Sequence, residues 1–276
     1  MCPGGATAAE CQFKGDDAIQ AAVDAAADGD TITVRAGTYA PTTFRDIPFG
    51  KLTIRGYVLI DGRRLTLNGE RGVIIDGSRG PPASAIVTRG GEVAIRHFLL
   101  VKLRVLDPED DIYDGHGLFT IDTALTVEDL DVEEAAKMAL TVRGHGSADV
   151  KGLKVAIGHV GVWLEENARL TLADAVIAGN SSAGLCAYGD SRARVTHSLF
   201  AANGDDGVYA EGNAQIDVDD SILVGNRPFG ARAAGTSHIR IAGTLSSASA
   251  DRETAEEGHG RVEVARAVAG PGPKSR

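Results

Sequence analysis

Four consecutive segments of this chain begin at Gly161, Gly184, Gly207 and Gly230, each 23 residues after the last. Aligned on those glycines, Leu172, Val195, Val218 and Ile241 share one position, and Asn180, Asn203 and Asn226 share another. The register runs on through Val127 and Val150 upstream and Val264 downstream. A period of this length marks a solenoid, because one unit cannot bury its own apolar face and must stack on copies of itself. Within each unit the apolar residues alternate, as in Val208-x-Ala210 and Ile216-x-Val218, between Gly, Asn and Asp. That period of two is the period of strands, and no unit leaves room for a helix. Leucine-rich and helical repeats are thereby excluded, and a stack of parallel strands remains. In such a stack equivalent side chains form ladders, so the three asparagines predict an internal amide ladder.

The ends of a solenoid are open sheet edges that need covers. Residues 16–27 supply one as a helix, with Ile19, Ala22, Val23 and Ala26 as its apolar stripe and Asp16 or Asp17 as its cap. The predicted organisation is an N-terminal extension over 1–15, a β-helix over 16–268 and a disordered tail over 269–276.

Composition narrows the function classes. The net charge of −10 comes with no basic stripe, which argues against nucleic acid, whose affinity is drawn from many cationic phosphate contacts. No apolar run approaches the roughly 18 residues of a membrane span. Met1-Cys2-Pro3-Gly4-Gly5 has neither the basic start nor the apolar core of an export signal, so the extracellular, periplasmic or cell-surface location expected of this chain requires such a signal to have been removed. Three cysteines are too few for a disulfide framework. Cys2 either pairs with Cys11, is lipidated, or stays a thiol.

The stretch DDAIQAAVDAAADGDTITVRAGTY, followed by LTIRG and VIIDGS, resembles the entry region of pectin methylesterases and related β-helix proteins. The repeats from Gly117 to Val264 resemble generic coils of the same pectin-lyase-like superfamily. The resemblance implies an all-β fold, a single-stranded right-handed parallel β-helix of about 23-residue coils with a short N-terminal capping helix. It also implies carbohydrate chemistry, since lyases, hydrolases, esterases and epimerases of polysaccharides share that fold. The motifs of individual families do not carry over. The Asp-Phe-Ile-Phe-Gly strand of pectin methylesterases is missing. Of the three polygalacturonase elements, Gly204-Asp205-Asp206 stands in place, but Gly115-His116-Gly117 precedes it in the wrong order. Asp107-Pro108-Glu109-Asp110 departs from the alginate epimerase motif at its histidine.

Alternation on the first strand of each unit gives a candidate groove. With Val162, Leu164, Leu185, Ala187, Val208 and Ala210 inside, one outward column reads Thr141, Trp163, Cys186, Tyr209, Arg232. The next reads Arg143, Glu165, Tyr188, Glu211, Ala234. Arg143, Glu165, Tyr188 and Glu211 are the candidate catalytic residues; Trp163, Tyr209, Arg232, His159, Asp205 and Asp206 are candidate sugar contacts. Three readings use them. A lyase or epimerase of uronic-acid glycans would neutralise the carboxylate with Arg143 or Arg232 and move protons through Tyr188, Tyr209 or His159. An inverting hydrolase would use Glu165 and Glu211, two coils apart. A non-catalytic surface or structural protein would use the face for binding alone. Polysaccharide is the expected partner in all three, bound without reaction in the last.

One coil breaks the period. Ile95 and Val127 are 32 residues apart, which puts nine extra residues around Leu106–His116, just before the groove strand. Long loops on regular scaffolds tend to carry function. Asp107, Glu109, Asp110, Asp111 and Asp114 there are candidate oxygen ligands for Ca²⁺, the one cofactor considered. Lys137 is a further groove candidate. His97 and His197 share a turn position with Asp129, Asp174 and Asp220, which points to a structural role.

Overall fold

A computed structural model describes residues 1–4, 11–106, 112–247 and 252–265. The predicted tail and most of the acidic loop lie outside these residues. The chain winds as a right-handed parallel β-helix with three walls. A front sheet contains the strands Leu118–Ile121, Met138–Arg143, Val160–Leu164, Leu185–Ala187, Val208–Ala210 and Phe229–Ala233. A second wall holds Ala124–Ala135, Ser147–Ala156, Arg169–Ala173, Arg192–Thr196, Gln215–Asp219 and His238–Ala242. The third holds Val176–Ala178, Leu199–Ala201 and Ile222–Val224. Pairing follows the repeat: Leu172 faces Val195, Val195 faces Val218 and Val218 faces Ile241. That column is at most 2 % exposed from Val127 to Ile241, whereas Val264, on the last described coil, is 55 % exposed.

The corners explain the conserved spacing of turn residues. Between the second and third walls the chain turns on one residue with φ of 48 to 59°, namely His97, Asp129, Asp174, His197 and Asp220. Only residues with short polar side chains or glycine visit this left-handed region readily, so the position selects type without selecting chemistry. At the next corner Ile157 adopts φ 56° with its side chain 71 % exposed, a β-branched residue where later coils carry Gly179, Ala202 and Gly225.

Beyond that corner lies the asparagine ladder. Asn180 Nδ2 donates to Asn203 Oδ1 and Asn203 Nδ2 to Asn226 Oδ1, each at 2.9 Å. A parallel hydroxyl ladder, unforeseen in the sequence, links Ser198, Ser221 and Thr244 to backbone N–H groups of the preceding coil.

The cap helix is shorter than predicted, Ala18–Ala25, with Ile19, Ala22 and Val23 buried. Asp17 occupies its cap position without capping it. Its carboxylate instead accepts hydrogen bonds from Thr42 and Thr43, which stitches the helix to the next segment. Before it, Cys2 and Cys11 form a disulfide, so the extension is tied onto the cap rather than trailing from it.

Candidate functional site

The front sheet is covered at one end and open at the other. Strand Arg45–Phe49 folds back antiparallel on Leu52–Asp61, and Ile112–Tyr113 pairs with Thr53–Ile54. The hairpin packs Ile47 and Ile54 against the outward faces of Val87, Phe119 and Ile121, all buried. A wall therefore stands over the front face as far as the strand that carries Arg143.

Arg143 sits at the foot of this wall. Its guanidinium lies over the rings of Phe49 (4.8 Å) and Tyr113 (5.7 Å). It donates to the Tyr113 hydroxyl at 3.4 Å and pairs with Glu165 at 3.1 Å and Glu166 at 3.3 Å. Beside it Lys137 lies 4.0 Å from Asp114 and 5.6 Å from the Tyr113 ring centre. Asp114 and His116 are each 1 % exposed. His116 Nδ1 meets Thr141 Oγ1 at 3.1 Å. Burial, reinforced by Lys137 and Arg143, pushes His116 down to about 3, so its ring is neutral; burial also raises Asp114. Three buried polar atoms of these residues make no hydrogen bond: Asp114 Oδ1, His116 Nε2 and Arg143 Nε. Buried polar atoms without partners are rare, and each calls for an explanation.

The open end carries the aromatic residues. Trp163 and Tyr188 stack with ring centres 4.4 Å apart, and Tyr188 meets Tyr209 edge-on at 5.7 Å. Arg232 closes the row over the Tyr209 ring at 4.4 Å. Trp163 Nε1 donates to Glu165 and the Tyr209 hydroxyl to Glu211. Burial holds the Tyr188 and Tyr209 hydroxyls well above the usual phenol range.

Several candidates are placed in ways alternation does not give. Arg143, Glu165, Tyr188 and Glu211 run as a strip in which Arg143 and Glu165 are in contact. Trp163 and Tyr188 turn their rings toward one another instead of presenting them singly to solvent. Cys186 faces outward by alternation yet is buried under Trp163, Tyr188 and Tyr209, which raises its thiol to about 12. Thr141 is likewise 2 % exposed, beneath the wall.

Asp206 is fully buried and cannot touch a sugar, because Arg232 lies across it with Nε 2.5 Å from its carboxylate. Burial outweighs that partner and lifts Asp206 to about 6. Asp205 is half-buried, 3.9 Å from the same guanidinium. Arg232 is thus committed to Asp206, Asp205 and Glu257 rather than to a ligand. His159 stands apart on an exposed turn, bonded to Ser181.

Of the candidate calcium ligands, Asp107, Glu109, Asp110 and Asp111 lie outside the described residues. Asp114 is turned inward, accepting from the Leu106 N–H at 3.1 Å, so it does not join a solvent-facing ligand set. Tyr113, His116 and Phe49 were not singled out as site residues by the sequence. The nine-residue insertion was the signal that pointed to the place.

A solenoid whose coils present one walled and one open stretch of a parallel sheet defines a right-handed β-helix protein of the pectin-lyase-like type. The chain belongs to the family described as "right handed beta helix region", whose model matches residues 111–248. Among solved structures it is similar to the pectate lyase Pel9A, at 12 % identity and TM-score 0.60, over 89 % of this chain and 70 % of that one. It is also similar to an alginate lyase from Paenibacillus sp. str. FPU-7, at 11 % identity and TM-score 0.63, over 95 % of this chain and 99 % of that one. No curated protein matches it in sequence. At these identities the likeness establishes the fold.

Proposed function

We propose that the front face engages a polysaccharide laid along the helix axis, and that the walled end performs proton transfer on its uronic acid residues, as a lyase or epimerase. The observation that carries this reading is that Asp114 Oδ1 and His116 Nε2, on the coil that holds the insertion, and Arg143 Nε, on the next coil, are buried polar atoms that make no hydrogen bond. Removing the proton next to a carboxylate requires the resulting charge to be neutralised; Lys137 stands beside the site, and Arg143 would join it once the incoming carboxylate displaces Glu165 or Glu166. The Tyr113 hydroxyl, held by Arg143, is the group positioned to move the proton, and Asp114 and His116 position it from beneath. Glu165 tethers Arg143 toward the open sheet, where the chain of sugars would continue past Trp163. The two lyases of like fold act on pectate and alginate by name, and these polymers head the substrate screen.

A second reading, binding without reaction, is supported by the saturation of the open strip, where Glu211 and Arg232 spend their charge on neighbours.

The test is incubation with pectate, alginate and hyaluronan, with calcium and with chelator. Unsaturated ends are followed by ultraviolet absorbance, and exchange of the C5 hydrogen is followed by proton NMR in heavy water. Turnover that disappears in Tyr113→Phe and Arg143→Ala supports the enzyme. Binding without either signal supports the second reading. Dependence of turnover on calcium would support the role proposed for Asp107, Glu109, Asp110 and Asp111.

A further inference from the structure

A surface groove lies elsewhere, on the second wall. It measures about 520 Å³ and spans the strands from Ala124 to Asp217. Its floor is built from small outward side chains such as Ala124, Thr126, Ser147 and Thr171, and three arginines, Arg169, Arg192 and Arg194, line it.

Their placement follows from the repeat. Arg169 and Arg192 are direct register partners on neighbouring strands, and Arg194 lies two residues along, opposite Thr171. All three occupy exposed alternate positions. Like charges directly opposite each other across a strand pair are unfavourable, and neighbouring strands are only about 4.8 Å apart. Other arginines of the sheet walls are paired: Arg240 takes Asp217 at 2.8 Å, and Arg143 and Arg232 hold two or more carboxylates each. Among the described residues the guanidinium groups of Arg169, Arg192 and Arg194 form no hydrogen bond or ion pair. Glu92 lines the far end of the groove, Asp149 stands on the strand next to Arg169, and Asp217, the register partner of Arg194, is paired with Arg240. Three cations thus stand together with carboxylates nearby but none paired to them, on a protein of net charge −10.

We infer that this groove binds a carboxylate-bearing polysaccharide, with Arg169 and Arg192 on consecutive rungs reading successive carboxylates along the helix axis and Arg194 standing beside Arg192 on the same rung. The spacing of neighbouring strands is comparable to the length of one sugar unit, so consecutive uronates meet Arg169 and then Arg192. Guanidinium pairs with carboxylate through two parallel hydrogen bonds, which gives geometric as well as electrostatic fit. A nucleic acid fits less well, since the surrounding field repels a long polyanion and the basic patch is only three residues wide. The groove lies on a different wall from Arg143, so this inference stands independently of the front-face reading.

The test is arginine labelling with phenylglyoxal, mapped by peptide mass spectrometry, in the presence of short polygalacturonate oligomers or neutral dextran. Polygalacturonate is expected to protect Arg169, Arg192 and Arg194, dextran is not, and raised ionic strength abolishes the protection. The same protection is expected in Trp163→Ala, which disables the front face and leaves this wall intact. Calorimetry should show that the combined Arg169→Gln, Arg192→Gln and Arg194→Gln variant binds about tenfold more weakly or worse. Its melting temperature should not fall, because the substitutions relieve repulsion. Equal labelling with and without polygalacturonate, or unchanged affinity in the triple variant, overturns the inference.

Discussion

Replacing Asn203 with Ala tests how the coils are locked to one another. The side chain is 1 % exposed. Its Nδ2 donates to Asn226 Oδ1 at 2.9 Å and to the Ile177 carbonyl at 3.2 Å. Its Oδ1 accepts from the backbone N–H and the Nδ2 of Asn180, at 3.2 and 2.9 Å. Truncation removes all four bonds and strands two donors of Asn180 inside the turn. Asn226 Oδ1 keeps the Asn203 backbone N–H at 3.2 Å. A stranded buried donor costs about 1–3 kcal/mol, and a lost neutral bond about 0.5–1.5 kcal/mol net. Some relaxation of the turn is expected, so the loss is set at about 3–5 kcal/mol. The control is Asn213→Ala, on the outside of a corner, which bonds Asp190 at 2.9 Å and Thr236 at 2.5 Å but is exposed. Water replaces those bonds, and the expected loss is below about 1 kcal/mol. Guanidinium unfolding followed by circular dichroism measures both, with comparison of slopes to check that the denatured states match. A loss below about 1 kcal/mol in Asn203→Ala, or equal losses in the two variants, would refute the reasoning.

Three further outcomes follow from the geometry. His116 titrates near 3 in the fold against 6.5 ordinarily, so its contribution to stability is present above pH 6.5 and is lost as pH falls toward 3. By pH 5 the loss reaches about 2 kcal/mol, and urea midpoints at pH 7.5 and 5 should converge in His116→Asn relative to the parent protein. Asp206 runs the other way: lifted to about 6, it gives most stability below pH 4 and loses it as pH rises through 6. Asp206→Asn should remove that component from a pH series of melting temperatures. Ile157→Gly should raise stability by about 1 kcal/mol, since the exposed isoleucine packs against little and its left-handed backbone suits glycine; a lower melting temperature would contradict this.

Much of the scaffold was legible because its determinants are local and repeated. Val195 and its equivalents had to face inward once the period was known. His197 and Asp220 were readable as turn residues, although their φ near 50° gave the reason only afterwards. Asn203 was readable as a ladder for the same cause, a polar residue recurring at one phase of the coil.

The candidate site was less legible. Alternation separates the inside of the coil from the outside, and it was right that Trp163, Tyr209 and Arg143 point outward. It does not say whether the outside is covered. Thr141 is outward by pattern and Asp206 a candidate sugar contact, yet both are buried. One lies beneath a wall built from Phe49 and Tyr113, and the other beneath a guanidinium one coil farther on. The sequence by itself determined the winding, the core columns and the place of the insertion, since each unit states them again. The tertiary structure decided which outward residues meet solvent, because the hairpin is not part of the repeat and reaches the front sheet from far away in the chain. It also decided which charges remain unspent, because pairing depends on side chains from neighbouring coils arriving within a few ångströms of one another.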